Sequence, residues 1–400
     1  MKTEKYNDES ILFYDAVHKK IVISDSVIKE LIFTKEFQRL KHIKQLGTFF
    51  LLLNSSCHTR FSHSIGTYYL INKLLSKKRF QHLNIQAQKE VEVAGLLHDL
   101  GHGPFSHIFE RIAKNFVHEN YSVKILKNKK GEIYPILKKY KLNIERIANL
   151  ILKKTVNDWG QFLISHQFDF DRLDYLMRDR YFLGLENIPI NIDALFDNII
   201  IERDRLLFHE KALLDLENFL LFRFYVYKNC FWNDDNVFFD NLFIAIFQRL
   251  KDLQQQKHIF AFSLDYFFEL IQNKMISLTT FLELNDYNLF TFLKLIQQKG
   301  CDVILLKLVN TFLNPKYHWP FCKTKNEIDK QIKYLGQQGW DQKYFVYSKK
   351  LKLIIYQIFP DDEIWILNKN NQRKKLSEVS LFFDQKHQRH KEIKFALRLV

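Results

Sequence analysis

Four hundred residues, 47% of them hydrophobic, can bury a sizeable core as one large domain or two of ordinary size. The four cysteines (Cys57, Cys230, Cys301, Cys322) are far apart and form no Cys-x-x-Cys, and no apolar run reaches ~18 residues. No disulfide framework, secretion signal or membrane span is indicated, and a cytoplasmic protein with reduced thiols is expected.

The formal net charge is +15. Such a charge suits nucleic acid, an anionic membrane surface or a highly anionic small substrate. Residues 315–400 carry 18 Lys/Arg against 9 Asp/Glu, so more than half of the excess lies there. Gly (11) and Pro (6) are scarce, which favours a mainly helical fold.

In chain order, residues 12–33 carry short apolar runs. The segment Glu36–Gly47 places apolar residues at 37, 40, 43 and 46, a helical spacing that Gly47 would stop. Residues 61–77 and 88–99 read as helices, with His98 and Asp99 at the second one's C-terminus. There two successive side chains can turn toward one ion more easily than in mid-helix. Residues 127–131 read as an exposed loop, and 143–156 and 167–180 as further helices.

A small hairpin is expected next, from strands 198–201 and 206–209 with a turn at 202–205. Residues 211–255 read as one or two long helices, and a boundary is expected near 255–260. That divides the chain into a catalytic core, 1–255, and a smaller, basic α+β region, 256–400, suited to assembly or regulation. Strands are expected at 344–348, 351–359 and 363–367, with a turn at 360–362.

The chemistry concentrates early. Seven of the 15 histidines fall between residues 58 and 118. A lone histidine is more often structural than catalytic. The adjacent pair His98-Asp99, flanked by His63 and by Asp171, is a stronger pattern. Imidazole and carboxylate ligands that leave coordination positions open suit a metal that activates water against a phosphate ester. The set does not choose among Mn, Fe, Zn and Mg, and it argues against a closed, thiolate-rich structural zinc site. Blander readings stand beside it. Asp171 and Asp174 could form a solvated acidic face, Asp174 and Arg178 a local i,i+4 pair, Gln45 a helix cap, and Arg223 an aromatic stacking partner. Cys57, His58 and His63 could suggest a thiolate site. No phosphate-binding Gly-x-x-x-x-Gly-Lys is present.

The stretches EFQRLKHIKQLG (36–47), HTRFSHSIG (58–66), AGLLHDLGHGPFSHIF (94–109) and DRLDYLMRD (171–179) resemble the HD-domain deoxynucleoside triphosphate triphosphohydrolases. The resemblance runs to about residue 250, with a weaker echo at 281–286. It implies a mainly α fold with an HD-domain helical core. It implies that His63, His98, Asp99 and Asp171 hold one divalent metal ion. His102, Glu110 and His118 would be the acid/base and water-positioning group, with Glu110 where the family usually has Asp. His107 and Arg60 would contact the α-phosphate. Arg172, Tyr175 and Arg223 would reach the phosphate chain, with Lys228 a lesser candidate. Gln45, Leu46 and Asp179 would lie against the deoxyribose.

The activity implied is release of triphosphate and a deoxynucleoside from a dNTP, by a homo-oligomer. Two alternatives stay open. One is an HD phosphatase or phosphodiesterase acting on another nucleotide or on a nucleic-acid end. The other is a nucleic-acid-binding protein with a secondary metal site; weak nucleic-acid binding would follow from the charge. Relatives activated by a guanine nucleotide carry an acidic residue where Phe33 stands, an Arg where Lys41 stands and an Asn where Tyr14 stands, while Gln38 matches. The same activation is not expected here.

Overall fold

The computed structural model describes residues 10–155, 157–186, 189–202, 205–261, 263–300, 302–314, 321–354, 363–383 and 388–399. Its architecture is mainly α with small sheets. The chain opens on a hairpin, β1 (Ile11–Asp15) and β2 (Lys19–Ile23), paired antiparallel. The sequence reading did not anticipate it, because its turn contains no Gly, Pro or Asn. The Asp15 carboxylate makes the turn instead, accepting from the Val17 and His18 N–H groups, and Lys19 takes the left-handed conformation at φ 68°.

The helix expected over 36–47 is much shorter. Helical turns Lys35–Gln38 and Arg39–His42 are followed by extended chain, since Lys44 bridges to Thr59. The Arg60 N–H donates to the Ile43 carbonyl and the Gln45 N–H to the His58 carbonyl. Backbone pairing across this bridge outweighs the helical spacing of the apolar residues.

The helical centre is α1 (Arg60–Leu75), α2 (Ile85–Leu97), α3 (His107–Ile112), α4 (His118–Leu126), α5 (Ile144–Ile151) and α6 (Phe170–Leu183). α1 packs against both α2 and α6, and α2 also packs on α5. α2 is buried over Glu90–Leu97, so it carries no polar stripe there. α6 starts on Asp169, whose carboxylate accepts from the Arg172 N–H, and stops at Gly184 in the left-handed conformation.

The expected hairpin is present as β3 (Ile199–Ile201) and β4 (Leu206–His209). Residues 203 and 204 of its turn lie outside the described residues. The 211–255 stretch forms two helices, α7 (Leu213–Val226) and α8 (Asp234–Gln255), joined by a wide π-helical turn, Tyr227–Phe231. After α9 (Asp286–Lys299) come β5 (Phe321–Cys322), β6 (Val346–Ile354), β7 (Trp365–Leu367), β8 (Arg373–Lys375) and β9 (Gln388–Leu397). The two strands expected at 344–348 and 351–359 are one strand where described: β6 pairs without a break along β9. The expected turn at 360–362 lies outside the described residues.

β7 pairs in parallel with β4, so the order in that sheet is β3-β4-β7-β8. The main apolar core cluster among the described residues runs from Ile21 to Leu397 and includes residues on both sides of position 255. No described helix is long and apolar enough to cross a membrane. Cys57, Cys230 and Cys322 are free thiols.

Candidate active site

Three helix ends meet at the floor of a cavity of about 400 Å³. His63 comes from the first turn of α1, His98 and Asp99 from the C-terminus of α2, and Asp171 from the first turn of α6. His63 Nε2 lies 3.0 Å from Asp171 Oδ1 and 3.6 Å from Asp99 Oδ2. His98 Nε2 lies 3.3 Å from Asp99 Oδ1 and 3.5 Å from Asp171 Oδ1. Neither Nε2 has a hydrogen bond among the described residues, although both are buried.

The other ring nitrogens are engaged. His63 Nδ1–H donates to Asp174 Oδ2 at 2.8 Å, and His98 Nδ1–H donates to the Gly95 carbonyl at 2.8 Å. Each bond fixes the tautomer that leaves Nε2 as a lone pair facing the carboxylates, which is what a metal ligand requires. Two buried, unbonded imidazole nitrogens with two carboxylates therefore fit a divalent cation. The donor set leaves the metal's identity open. Burial opposes charge on His63, but the Asp171, Asp174 and Asp99 carboxylates outweigh it and lift its pKa to about 10. His98 is raised in the same way, with Asp99 and Asp171 overcoming burial.

Asp174 is not a solvated acid. Fully buried, it receives His18 Nε2 at 2.6 Å, His63 Nδ1, and both Nε and Nη2 of Arg178 at 3.0 Å. Arg178 Nη1 donates onward to Asp15 of the N-terminal hairpin at 2.8 Å. Gly66 makes room for this network: a Cβ there would lie 1.9 Å from Asp174 Oδ1.

A second cluster flanks the first. The His102 ring stacks on His118, centroids 4.0 Å apart, and meets His107 edge-on. Glu110 Oε1 accepts from His118 Nδ1 at 2.7 Å and from His107 Nδ1 at 3.1 Å, so the longer carboxylate reaches its partners. Burial disfavours the Glu110 anion, but these two imidazoles outweigh it and bring its pKa down to about 2. Burial, with Arg60 and His118 nearby, pushes the His102 imidazole well below its ordinary value, so it is neutral. Gly101 lets α4 approach; a Cβ there would meet the His118 carbonyl at 1.9 Å.

Arg60 is buried, with Nη1 on Asp99 Oδ2 at 2.7 Å and Nε on Ser106 Oγ at 3.0 Å. Arg172 donates through Nε to Asp169 and to the His166 carbonyl. Arg60, His107, Arg172, Tyr175, Gln45, Leu46 and Asp179 all line the cavity. The Tyr175 hydroxyl, Gln45 Oε1 and Asp179 Oδ2 are buried without hydrogen bonds among the described residues, and so are free for a ligand. Asp179 is steadied by His58, whose Nε2 lies 2.8 Å from its Oδ1. Cys57 is exposed, and among the described residues no cysteine joins His58 or His63 in a ligand cluster. Arg223 stands one layer back, donating to Gln167 at 3.3 Å and stacking over Tyr227, which does line the cavity.

Sequence reasoning did not single out the lining residues Tyr227, Phe231, Lys153 and Glu119. The first two come from the π-helical turn, which helical periodicity does not reveal. Neither His18 nor Asp174 was read as a partner of the metal ligands, because their contacts span over a hundred residues.

Comparison with known proteins gives four results. The HD domain model matches residues 60–192. An uncharacterized protein of Mycoplasma genitalium is 31% identical over 405 residues, covering 93% of this chain and 94% of its own. The deoxynucleoside triphosphate triphosphohydrolase SAMHD1 homolog of Dictyostelium discoideum is 31% identical over 235 residues, which is 55% of this chain and 45% of that protein. Among solved structures, a phosphohydrolase from Bacteroides thetaiotaomicron shares the fold with a TM-score of 0.84 at 24% identity, over 98% of this chain and all of that one.

Proposed function

This chain belongs to the HD-domain phosphohydrolase family, and from that premise we propose that it converts dNTPs to deoxynucleosides and inorganic triphosphate. One observation carries the reading. A single cavity joins the His98/Asp99/Asp171 floor, with the buried His63 3.0 Å behind Asp171, to a wall of Arg60, His107 and Arg172 and to unbonded polar atoms on Gln45, Tyr175 and Asp179. Cations suit a triphosphate. Gln45 and Asp179 suit a sugar 3′-hydroxyl, and Leu46 offers a close wall where a ribonucleotide would carry its 2′-hydroxyl.

His63, His98, Asp99 and Asp171 would hold a divalent ion, which would supply Lewis acidity for phosphoryl chemistry. The chain's own groups do the rest. Arg60 and His107 neutralise charge developing at the α-phosphate, and Arg172 and Tyr175 hold the remaining phosphates. His102, kept neutral, accepts a proton from the attacking water. The bond from the α-phosphorus to the 5′-oxygen breaks. His118, bonded to the Glu110 carboxylate, donates the proton that the leaving 5′-oxygen takes. The water oxygen stays on the triphosphate.

The test is incubation of each dNTP and NTP with Mn²⁺, Mg²⁺ or Fe²⁺, with products separated by ion exchange. Triphosphate and deoxynucleoside from dNTPs, with poor turnover of NTPs, is the expected result. Stepwise release of monophosphate, or equal rates with NTPs, rejects the proposal.

A further inference from the structure

Asp286 lies at the start of α9, 181 residues beyond Phe105 and 242 beyond Lys44, and its carboxylate is completely buried. Its Oδ1 accepts the Phe105 N–H at 2.9 Å, and its Oδ2 accepts the Lys44 N–H at 2.9 Å. The two oxygens thus staple together two separate loops. One precedes Gln45 and Leu46; the other precedes His107.

The second loop is costly to hold. Phe105 and Ser106 both have positive φ, 59° and 58°, a conformation that non-glycine residues rarely adopt. Its strain has a visible result. Ser106 is turned so that its hydroxyl donates to the Lys44 carbonyl at 2.7 Å and accepts from Arg60 Nε at 3.0 Å. Gly47 closes on the same place: a Cβ there would lie 2.7 Å from the Phe105 carbonyl. The staple therefore sets Arg60 through Ser106, and His107 through the turn before it. Its own atoms are not among those lining the cavity.

We propose that Asp286 is a positioning residue, which holds the 103–107 loop in its strained conformation and so sets the Arg60 and His107 side chains for an oligophosphate ligand. The function proposed above supplies that ligand class. Among the remaining groups near Asp286, Lys44 Nζ approaches to 3.8 Å. That ammonium also faces the Phe50 and Tyr287 rings. The backbone N–H pair remains the direct hydrogen-bonded target of the carboxylate.

The experiment uses the full chain, with Asp286→Asn and Asp286→Ala variants. Asparagine keeps the shape and one acceptor, so it guards against simple failure to fold. Three readouts are taken: hydrogen–deuterium exchange, bound metal, and the Kd for inorganic triphosphate by calorimetry. For Asp286→Asn we expect exchange to quicken about 10-fold at residues 44–47 and 103–107 and not elsewhere, since one buried N–H loses its acceptor. Metal content should be unchanged and the triphosphate Kd should rise by about 10-fold, with a larger rise for Asp286→Ala. Unchanged exchange at Phe105, or uniform quickening over the whole chain with no selective loss of triphosphate binding, overturns the proposal. Wild-type protein that turns over no dNTP would count against the function above, whereas the exchange pattern tests Asp286 independently of it.

Discussion

Replacing Gly66 by Ala sets two opposed effects against each other. Gly66 lies in the interior of α1. Helix propensity alone makes Ala better than Gly there by about 1 kcal/mol. The structure predicts the opposite sign. The added methyl would sit 1.9 Å from Asp174 Oδ1 and 2.5 Å from Arg178 Nη2. The carboxylate cannot simply swing away, since His18, His63 and Arg178 all hold it. Moving it breaks a buried charge network, which costs about 3–5 kcal/mol. Net destabilisation of about 2–4 kcal/mol should result after the propensity gain is subtracted. His63 would also lose the bond that orients it, so metal affinity should fall about 10–100-fold.

Urea unfolding measures the first effect, and metal content after dialysis the second. Gly336 is the control: it lies in the helix Lys325–Gln337 with open space around its Cβ, and Gly336→Ala should be neutral or slightly stabilising. A Gly66→Ala protein as stable as wild type with its full complement of metal would refute the reasoning.

Asp171→Ala, or the double change His98→Ala/Asp99→Ala, should abolish turnover and bound metal with far-ultraviolet circular dichroism preserved; full activity in a metal-free variant would sink the ligand assignment. For Glu110, hydrogen bonds from His107 and His118 lower the folded-state pKa from the ordinary 4.5 to about 2. The stability it contributes is therefore full above pH ~4.5 and fades as pH falls toward ~2. Glu110→Gln should lose stability less steeply than wild type across that acid window in urea titrations, and a parallel slope would contradict the assigned bonds. GTP should not raise the dATP or dTTP rate: Phe33 offers no side-chain acceptor for a guanine edge, and Gln38 Nε2 is spent on the Ile32 carbonyl. A large GTP-dependent increase that Lys41→Ala removes would prove this wrong.

The candidate site was legible where its chemistry is local. His98 and Asp99 are adjacent, His102 and His107 follow within nine residues, and Asp171 to Asp179 share one helix, while the wider set was named by its resemblance to the HD-domain family. The hairpin of β3 and β4 and the helix-end position of His98 were legible for the same reason. What escaped depends on distance along the chain. The β1–β2 turn is made by an Asp side chain, Asp286 acts across about 180 residues, and the π-helical turn that brings Tyr227 and Phe231 to the cavity breaks the very period used to find helices. The helix expected at 36–47 failed because pairing with the 58–60 segment took over the backbone groups that a helix would have used.

The parallel pairing of β4 with β7 has a consequence for biosynthesis. The ribosome releases β4 about 160 residues before its neighbour. During that interval the nascent chain carries Leu206, Leu207 and Phe208 on a strand with one unpaired edge, although all three are buried in the finished protein. The helices around the HD motif can form early from local contacts, but this sheet must wait for synthesis to pass residue 367. Translation of this chain thus has a long window in which an apolar strand edge needs shielding, and slowing elongation through the segment between the two strands should lower soluble yield more than slowing it elsewhere.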